Sequence, residues 1–514
     1  PFSNVGGDST RQAFCDGLVE TLTSKLTQLE QFHGSLWVVP ASEVFRNRIL
    51  SPSEARQAFG ANLVITGSLQ RLGETFRLTL NLVEPENLRQ LNSAVVDVQA
   101  SNLSTLQDDA VTNVLQMLNL ELNPQSRRVI QAGISPVPDA YNFYLQGLGY
   151  LQRYENVTNL EAATTLFELA IQQDSTYALA YAGLGEAFWR RYKATRENRW
   201  VARAMEASRQ AQRLDPRLPE VNISLGMILA GTGRYREAIA SFQQALDVDP
   251  TNAAAYRGLA RAHEALGDVN RAEVIYHRAI QFKPDYWGGY NDLGVFYFRH
   301  GWYEKAIHQF RRVVELTPDN PRGYSNLGGV YYQLKRWTEA RQMFERSLAL
   351  KKTYRVCSNL ATLHYIEGKY ARAARMYEMA LELNRNDYRV WANLASAYQW
   401  SGEGMEKVQQ TYRTAIQLAE REKKINPQDV DVVSHLASYY AMIHEDTKAL
   451  AAIAEALSLA PNDIRVMYRV AGAYEQMGAR EQALKWLIKA LEQGYSYAEV
   501  RHQPELQQLL ADER

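Results

Sequence analysis

Three copies of the motif Arg-x-x-x-Asn are the residues whose types and spacing best fit a chemical task in this sequence. They are Arg322 with Asn326, Arg355 with Asn359, and Arg389 with Asn393. A spacing of four residues places both side chains on one face of an α-helix. The asparagine amide offers a donor and an acceptor together, as a peptide unit does, and arginine pairs with carboxylates or phosphates. These residue types indicate binding of a chain-like ligand; as alternatives, they solvate a surface, or the arginines pair with carboxylates of the protein itself.

No catalytic motif accompanies these residues. The sequence has no phosphate-binding loop, dinucleotide fingerprint, nucleophile elbow, zincin pair or kinase motif. His263-Glu264 resembles the start of a zinc-binding motif, but the position four residues after the histidine is Gly267. The nine histidines lack ligand spacing, and Cys15 and Cys357 form neither a disulfide framework nor a metal site. We therefore expect no enzyme activity, no cofactor, no metal and two buried thiols.

Composition excludes several classes of partner. The 514 residues carry no net charge, and 22% of them are charged. Without a long basic run, nucleic acid is not an expected partner. No apolar run reaches the roughly 18 residues of a membrane span, and no signal peptide opens the chain. Because the first residue is Pro1 rather than Met, we expect a piece of a longer protein, with a membrane span upstream as one alternative.

A pattern with a period of 34 residues surrounds the first of these motifs. The recurring residues are Tyr290, Leu293, Gly294, Tyr297, Ala306 and Phe310, followed by Tyr324, Leu327, Gly328, Tyr331, Ala340 and Phe344. Two antiparallel helices approach closely only where small side chains face each other, and large residues fill the space beside them. Pro318 ends the unit because proline cannot continue a helix. This pattern resembles the tetratricopeptide repeat.

The resemblance implies a mainly α fold, a right-handed α-solenoid of about ten helix pairs over residues 140–495, with a capping helix over residues 496–514. The second helix of the eighth repeat is expected to continue past Ala415 to Pro427. In this family the first helix of each pair lines a concave groove, and the residue before the conserved leucine points inward. In peptide-binding members, inward asparagines hold the main chain of an extended peptide.

That family geometry turns the three motifs into a candidate site for a protein or peptide ligand. The site comprises the three asparagines and three arginines, in a row that Asp292 begins and His435 ends. An acidic or phosphorylated ligand suits the arginines. Tyr332, Tyr365 and Trp400 supply aromatic surface nearby.

Residues 1–134 predict a small α/β domain, because all thirty tyrosines follow residue 140 and two prolines mark a linker at 135–139. Apolar residues spaced by three or four from Phe14 to Phe32 predict a helix. Leu36–Val39 predicts a short buried strand, and Ser51–Glu54 predicts a capping box with Gly60 as the helix C-cap. Further strands are expected at 63–69, 76–83 and 94–98, before a last helix that includes Leu118.

Two short motifs in this domain, Phe14–Glu20 and Thr66–Leu69, are similar to the domain related to the TolB amino-terminal domain. The resemblance implies a bacterial protein in which this domain lies between a membrane segment and tetratricopeptide repeats, as in serine/threonine kinases and adenylate-cyclase-like regulators. It also implies that most of an opening strand is missing before Phe2. With a membrane span upstream, the segment faces outward; otherwise it is cytoplasmic.

Three functions remain open at this point. The first is the regulatory scaffold of a bacterial membrane signalling protein, most naturally a serine/threonine kinase, that binds an extended peptide in its groove. The second is the substrate-holding part of an enzyme whose kinase or cyclase domain lies upstream. The third is a free-standing assembly scaffold. The sequence upstream of Pro1 would distinguish all three.

Overall fold

The computed structural model describes residues 2–5, 9–34, 36–154, 156–195, 197–425, 427–501 and 503–512. Helices make up 72% of the chain, and the strands of the described part all lie before residue 100. The chain forms two compact units, Pro1–Gly323 and Tyr324–Arg514. The predicted architecture, a small α/β domain followed by an α-solenoid, is confirmed.

Four strands form one mixed sheet in the order β1-β2-β3-β4. Their bounds are Ser3–Val5, Val64–Leu72, Thr75–Glu84 and Arg89–Gln99. The strand β1 is parallel to β2, starting at the pair Ser3 and Ser68, and the other two pairings are antiparallel. Leu78, Leu80 and Leu82 alternate along β3 and are buried, as their spacing predicts. This row joins the sheet to the core beneath it.

The predicted strand at Leu36–Val39 is wrong. Residues 36–40 belong to no strand. A strand needs a neighbour for its main-chain groups, and the Val38 N–H instead donates to the Glu30 carboxylate at 2.6 Å. The segment therefore lies beside the sheet without extending it.

Five α-helices of the described residues belong to the α/β domain. They are α1 Ser9–Leu29, α2 Ala41–Arg46, α3 Pro52–Phe59, α4 Leu106–Met117 and α5 Pro124–Gln131. The Ser51 hydroxyl accepts from the Glu54 N–H at 3.3 Å, and Gly60 ends α3 with φ of 70°. The capping residues therefore predict α3 correctly, because Ser51 caps its amino-terminal end and Gly60 caps its carboxyl-terminal end.

Ten helix pairs follow in the described chain, as the 34-residue period predicts. Their bounds are α6 Pro138–Gln152, α7 Val157–Gln173, α8 Ala178–Thr195, α9 Arg199–Leu214, α10 Pro219–Gly231, α11 Tyr235–Val248, α12 Ala253–Ala265, α13 Val269–Phe282, α14 Trp287–Arg299, α15 Tyr303–Leu316, α16 Pro321–Gln333, α17 Trp337–Leu350, α18 Tyr354–Ile366, α19 Tyr370–Leu383, α20 Tyr388–Ser401, α21 Met405–Ile425, α22 Val430–Met442, α23 Asp446–Leu459, α24 Ile464–Gln476 and α25 Arg480–Glu492. Helix α21 has 21 residues where most second helices have 14, so it continues well past Ala415.

The predicted capping helix over residues 496–514 is not one helix in the described part. Two single turns, α26 Tyr497–Val500 and α27 Gln507–Leu510, flank a 3-10 turn at Pro504–Leu506. The proline breaks the segment, because it has no N–H for an α-helical hydrogen bond. Leu506 and Leu509 are nevertheless buried against the last helix pair, so the segment covers that end.

Phenylalanine rings set the spacing between neighbouring helix pairs. The Phe242 ring lies so close to Gly226 of its own pair and Gly258 of the next that a Cβ there would be 2.8 and 2.4 Å from the ring. Phe167 lies in the same way between Gly147 and Gly183, at 2.8 and 2.6 Å. No side chain larger than hydrogen fits at these positions without displacing the ring.

Helix α1 of the α/β domain packs directly on α6, the first helix of the array. A Cβ built at Gly17 would lie 1.8 Å from the Leu145 carbonyl oxygen, and one at Gly149 would lie 1.8 Å from that of Ala13. The two backbones therefore touch at two points. Such contact requires glycine on both helices.

Residues 132–137 connect α5 to α6, so residues 138 and 139 of the predicted linker belong to α6. Ser135 is buried, and its hydroxyl donates to Asp174 at 2.6 Å. The α/β domain and the first helix pairs belong to the same compact unit. At the predicted linker the chain therefore changes from mixed α/β structure to helix pairs, and both parts belong to one compact unit.

Gly149→Ala should destabilise the chain by about 1–3 kcal/mol or more, because the new methyl group meets rigid backbone. Urea denaturation followed by circular dichroism measures the loss. Gly472→Ala is the matched control: it also lies in a helix, but nothing lies within 4 Å of its Cβ position. There the change should stabilise by about 0.5–1 kcal/mol. Equal effects at the two sites would contradict the close contact.

Candidate functional site

The first helices of the pairs in the Pro1–Gly323 unit are covered by the α/β domain of the same chain. Helix α1 packs on α6, and Gln28 donates to Glu220 of α10 at 2.6 Å. Farther along, Trp37 packs on Tyr286, just before α14, with ring centroids 5.3 Å apart. These first helices therefore pack against the chain's own α/β domain, and of the six predicted peptide-binding residues this unit contains Arg322 alone.

A cavity of 110 Å³ lies between α1 and three of these helices. Carboxylates from Glu20, Glu186 and Glu220 line it together with Lys25. The Lys25 ammonium donates to two main-chain oxygens, Val129 at 3.0 Å and Ala132 at 2.6 Å, and burial lowers its pKa. The cavity is large enough to hold several water molecules.

Burial raises the pKa of Glu20 to about 7, and the negative charge of Glu186 adds to the shift. Its carboxylate accepts a hydrogen bond from Gln152 at 2.9 Å. The ionised form is disfavoured because water is excluded and a like charge is near. The raised pKa of Glu20 therefore results from the close packing of α1 on the helix array.

Because the folded-state pKa of Glu20 lies above its ordinary value of 4.5, its stabilising contribution is complete below about pH 4.5 and is lost as pH rises through about 7. Glu20→Gln should remove this part of the pH dependence. Between pH 5 and 8 the free energy of unfolding of the wild type should fall by at most about 3 kcal/mol relative to that of the variant. Urea midpoints across this range measure it. The exposed Glu206→Gln change should leave the dependence intact, and a Glu20→Gln chain with wild-type pH dependence would refute the assignment.

Arg322 has its partners in the α/β domain and in α14. It lies in the Pro1–Gly323 unit, where its guanidinium lies 3.6 Å from the Glu43 carboxylate and 5.3 Å above the Trp287 ring. The α/β domain thus provides its charge partner. No sequence pattern indicates this pairing, because the two residues are far apart in the chain.

The three predicted asparagines lie at equivalent places in the Tyr324–Arg514 unit. Asn326 is on α16, Asn359 on α18 and Asn393 on α20, and each comes one residue before a buried leucine. Asn326 and Asn359 are half-buried and Asn393 is exposed. The Asn393 amide also lies within reach of the Tyr377 hydroxyl. Because of the repeat period, each of these helix pairs places one asparagine amide on the same face of this unit.

The arginines of this unit differ in their partners. Arg389 contacts Asp387 on its own helix start at 3.3 Å, with 61% of its side chain exposed. Asp387 also accepts from the Tyr354 hydroxyl at 2.5 Å, and its pKa is lowered. Arg355 is exposed. The guanidinium groups of this pair of arginines remain accessible to a ligand.

The two residues at the ends of the predicted row, Asp292 and His435, have hydrogen-bond partners within the protein. Asp292, in the Pro1–Gly323 unit, accepts from Arg257 at 2.7 Å. His435 bonds through Nδ1 to the Asp431 carbonyl oxygen, and burial, with help from the Arg469 charge, lowers its pKa to about 4. His435 is therefore neutral at pH 7.

Arg469 is a residue that the sequence reasoning missed. It donates to the Asp431 carboxylate at 2.8 Å and to the Ser434 hydroxyl at 2.9 Å. It stands one residue before Val470, the position that the asparagines hold in earlier repeats. The same period would have found it.

All three predicted aromatic residues lie beside other rings, since Tyr365 packs on Tyr370 at 5.1 Å, and Tyr365 has a further partner. Tyr332 packs on Trp337 at 5.2 Å, and Trp400 lies 6.2 Å from Tyr370. Tyr365 donates its hydroxyl to Glu505 of the carboxyl-terminal segment at 2.8 Å. That segment therefore reaches the end of α18.

The described residues contain no cluster of His, Cys, Asp or Glu with metal-binding geometry. Within the same part of the chain, helices long and apolar enough to cross a membrane are also absent. Cys15 and Cys357 are both buried thiols, as predicted.

Sequence profiles described as tetratricopeptide repeat match residues 229–291 and 319–386, and one described as TPR repeat matches residues 297–335. A protein of Rhizobium meliloti (strain 1021) with the provisional name adenylate cyclase 3 is 22% identical over 247 residues, 46% of this chain and 40% of that protein. Small glutamine-rich tetratricopeptide repeat-containing protein 2 of Mycosarcoma maydis is 36% identical over 63 residues, 12% of this chain and 18% of that protein. The structure of Pseudomonas aeruginosa pilF is 24% identical, with a TM-score of 0.33, and the match covers 41% of this chain and 92% of that one.

The helix pairs over residues 229–291 and 297–386 therefore match tetratricopeptide repeats, a fold that serves as a non-catalytic scaffold for protein interaction. This chain spans less than half the length of each curated relative.

Proposed function

We propose that this chain binds an extended peptide through Asn326, Asn359 and Asn393, with Arg355 and Arg389 on acidic groups of the ligand. The observation that carries the proposal is the repetition of one amide per helix pair, always beside a buried leucine, on three successive first helices. A peptide main chain also repeats its donor and acceptor at fixed intervals, so a periodic row of amides matches it. Arg322 is left out because Glu43 and Trp287 hold it.

Magnitudes show why the arginines are needed. Three asparagine contacts contribute roughly 0.5–1.5 kcal/mol each. Loss of translational freedom and ordering of the peptide cost at least as much as their sum. Affinity therefore depends on the charged groups, and a ligand with acidic side chains is favoured.

Asn359→Ala should weaken peptide binding about fivefold, which corresponds to about 1 kcal/mol. Peptides selected from a phage-displayed random library against the whole chain serve as ligands, and fluorescence anisotropy measures affinity. The control is Gln417→Ala, which removes an exposed amide from the second helix α21 and should leave the affinity unchanged.

Arg355→Gln should reduce the affinity for the peptide more at low salt than at high salt, because salt screens exposed charges. A ligand that loses no affinity when Asn326, Asn359 and Asn393 are all changed to alanine contradicts the proposal.

We further propose that the chain is the regulatory region of a bacterial signalling protein, with a kinase or cyclase as its catalytic partner. Two things support this: the similarity to the Rhizobium meliloti protein, and the α/β domain that precedes the repeats. Sequencing the coding region around the Pro1 codon tests it. A catalytic kinase or cyclase domain in the same reading frame supports the role, whereas an isolated gene with no such domain supports a free-standing scaffold instead.

A further inference from the structure

The carboxyl-terminal segment, which is described over residues 494–501 and 503–512, starts on the last helix pair. The Tyr495 ring stacks on Tyr468 of α24, with ring centroids 4.3 Å apart and an interplanar angle of 11°. Tyr468 directly precedes Arg469, the residue of α24 at the repeat position that the asparagines hold in earlier repeats. The segment therefore starts next to that position.

Two hydrogen bonds connect this segment to the first helix pairs of the Tyr324–Arg514 unit. Lys335, which follows α16, donates from Nζ to the Ser496 hydroxyl at 3.1 Å. Tyr365, near the end of α18, donates its hydroxyl to Glu505 at 2.8 Å. Helix pairs stack in chain order, because each repeat contacts mainly its neighbours. A segment that packs on α24 and bonds to α16 and α18 therefore extends across the first helices between them, α20 and α22.

The Glu505 carboxylate lies among tyrosine side chains from three helices. Burial raises the pKa of Tyr365, Tyr370 and Tyr412, and the negative charge of Glu505 adds to each shift. These tyrosines belong to α18, α19 and α21. Tyr365 is also part of the aromatic surface predicted beside the peptide site, and Tyr370 lies 6.2 Å from another part of it, Trp400. An acidic side chain of the protein itself thus occupies the surface that an acidic peptide is expected to use.

Three features favour the segment over a peptide that binds the same surface. The segment follows α25 directly, and a ligand on a short tether acts at a roughly millimolar effective concentration. Its hydrogen bond from Tyr365 has a carboxylate acceptor, which makes the bond stronger than one between neutral groups. Leu506, next to Glu505, is only 3% exposed, so displacement of this turn also exposes an apolar side chain to water. A peptide therefore gains the surface only when its own contacts outweigh those of the segment.

We infer that the carboxyl-terminal segment is an internal competitor of the peptide proposed above, and that a bound peptide displaces Glu505 from Tyr365. This inference rests on the proposed peptide site and adds a mode of regulation to it. In the free chain the segment lowers the affinity for every peptide that reaches α18, since only molecules with the turn displaced are competent to bind. Weak ligands are thereby excluded.

Glu505→Ala should raise the affinity of the whole chain for the library-selected peptide about tenfold, because it removes a hydrogen bond to a charged group from the competitor. Fluorescence anisotropy measures the affinity, and circular dichroism confirms folding. Glu505→Gln, which loses the charge and keeps the size of the side chain, replaces this variant if it fails to fold. The control is Glu481→Ala, which removes the same charge from an exposed position on α25 and should bind the peptide like the wild type.

Hydrogen exchange provides a second measurement on the wild-type chain. The Leu506 N–H donates to the Gln503 carbonyl oxygen at 3.1 Å, and it should exchange faster when the chain is saturated with the peptide. Unchanged exchange overturns the inference. So does a peptide that is weakened by Asn359→Ala but binds the Glu505→Ala chain with wild-type affinity, and this result leaves the proposed peptide site standing. A peptide that loses no affinity when all three asparagines are changed to alanine overturns the site and the inference together.

Discussion

A phenylalanine ring packed against glycine backbone recurs in the repeat array: Phe167 and Phe242 each lie between two glycines, and Phe310 and Phe344 each contact one. Each ring that lies between two glycines belongs to the second helix of one pair, and it touches the first helix of its own pair and of the next one. The ring therefore fixes two distances at once, within a pair and between pairs. Because the contact is made against backbone, its tolerance is a fraction of an ångström. The regular presentation of groove residues follows from this spacing.

The two units use this framework differently. In the Pro1–Gly323 unit, the first helices face the chain's own α/β domain, through close backbone contact at Gly17 and Gly149 and through buried carboxylates around Lys25. Those charges are tolerated because hydrogen bonds and a raised pKa at Glu20 offset the loss of water. In the Tyr324–Arg514 unit, the equivalent face carries asparagines and accessible arginines. A regular scaffold thus serves internal packing in one part and carries the groups that we propose for ligand binding in another.

Local pattern predicted most of the fold because most of its contacts are local. The 34-residue period located ten helix pairs, and the capping residues at Ser51 and Gly60 located α3. Contacts between distant parts of the chain were out of reach: nothing near Arg322 in the sequence indicates Glu43. The strand predicted at Leu36–Val39 failed for a related reason, since a strand depends on a neighbour that its own residues do not specify. For the candidate site, the sequence located the asparagines, whereas the partners of Arg389 and Tyr365 required the three-dimensional structure.

The contacts of the α/β domain along the array also restrict how this protein can evolve. Helix α1 contacts α6 and α10, Trp37 contacts Tyr286 just before α14, and Glu43 contacts Arg322 of α16. Repeat proteins commonly gain or lose units by duplication, because each repeat contacts mainly its neighbours. Here a duplicated helix pair between α6 and α16 would shift every later contact by one repeat and leave the domain misaligned. The number of repeats in this part of the chain is therefore constrained by the domain that contacts them.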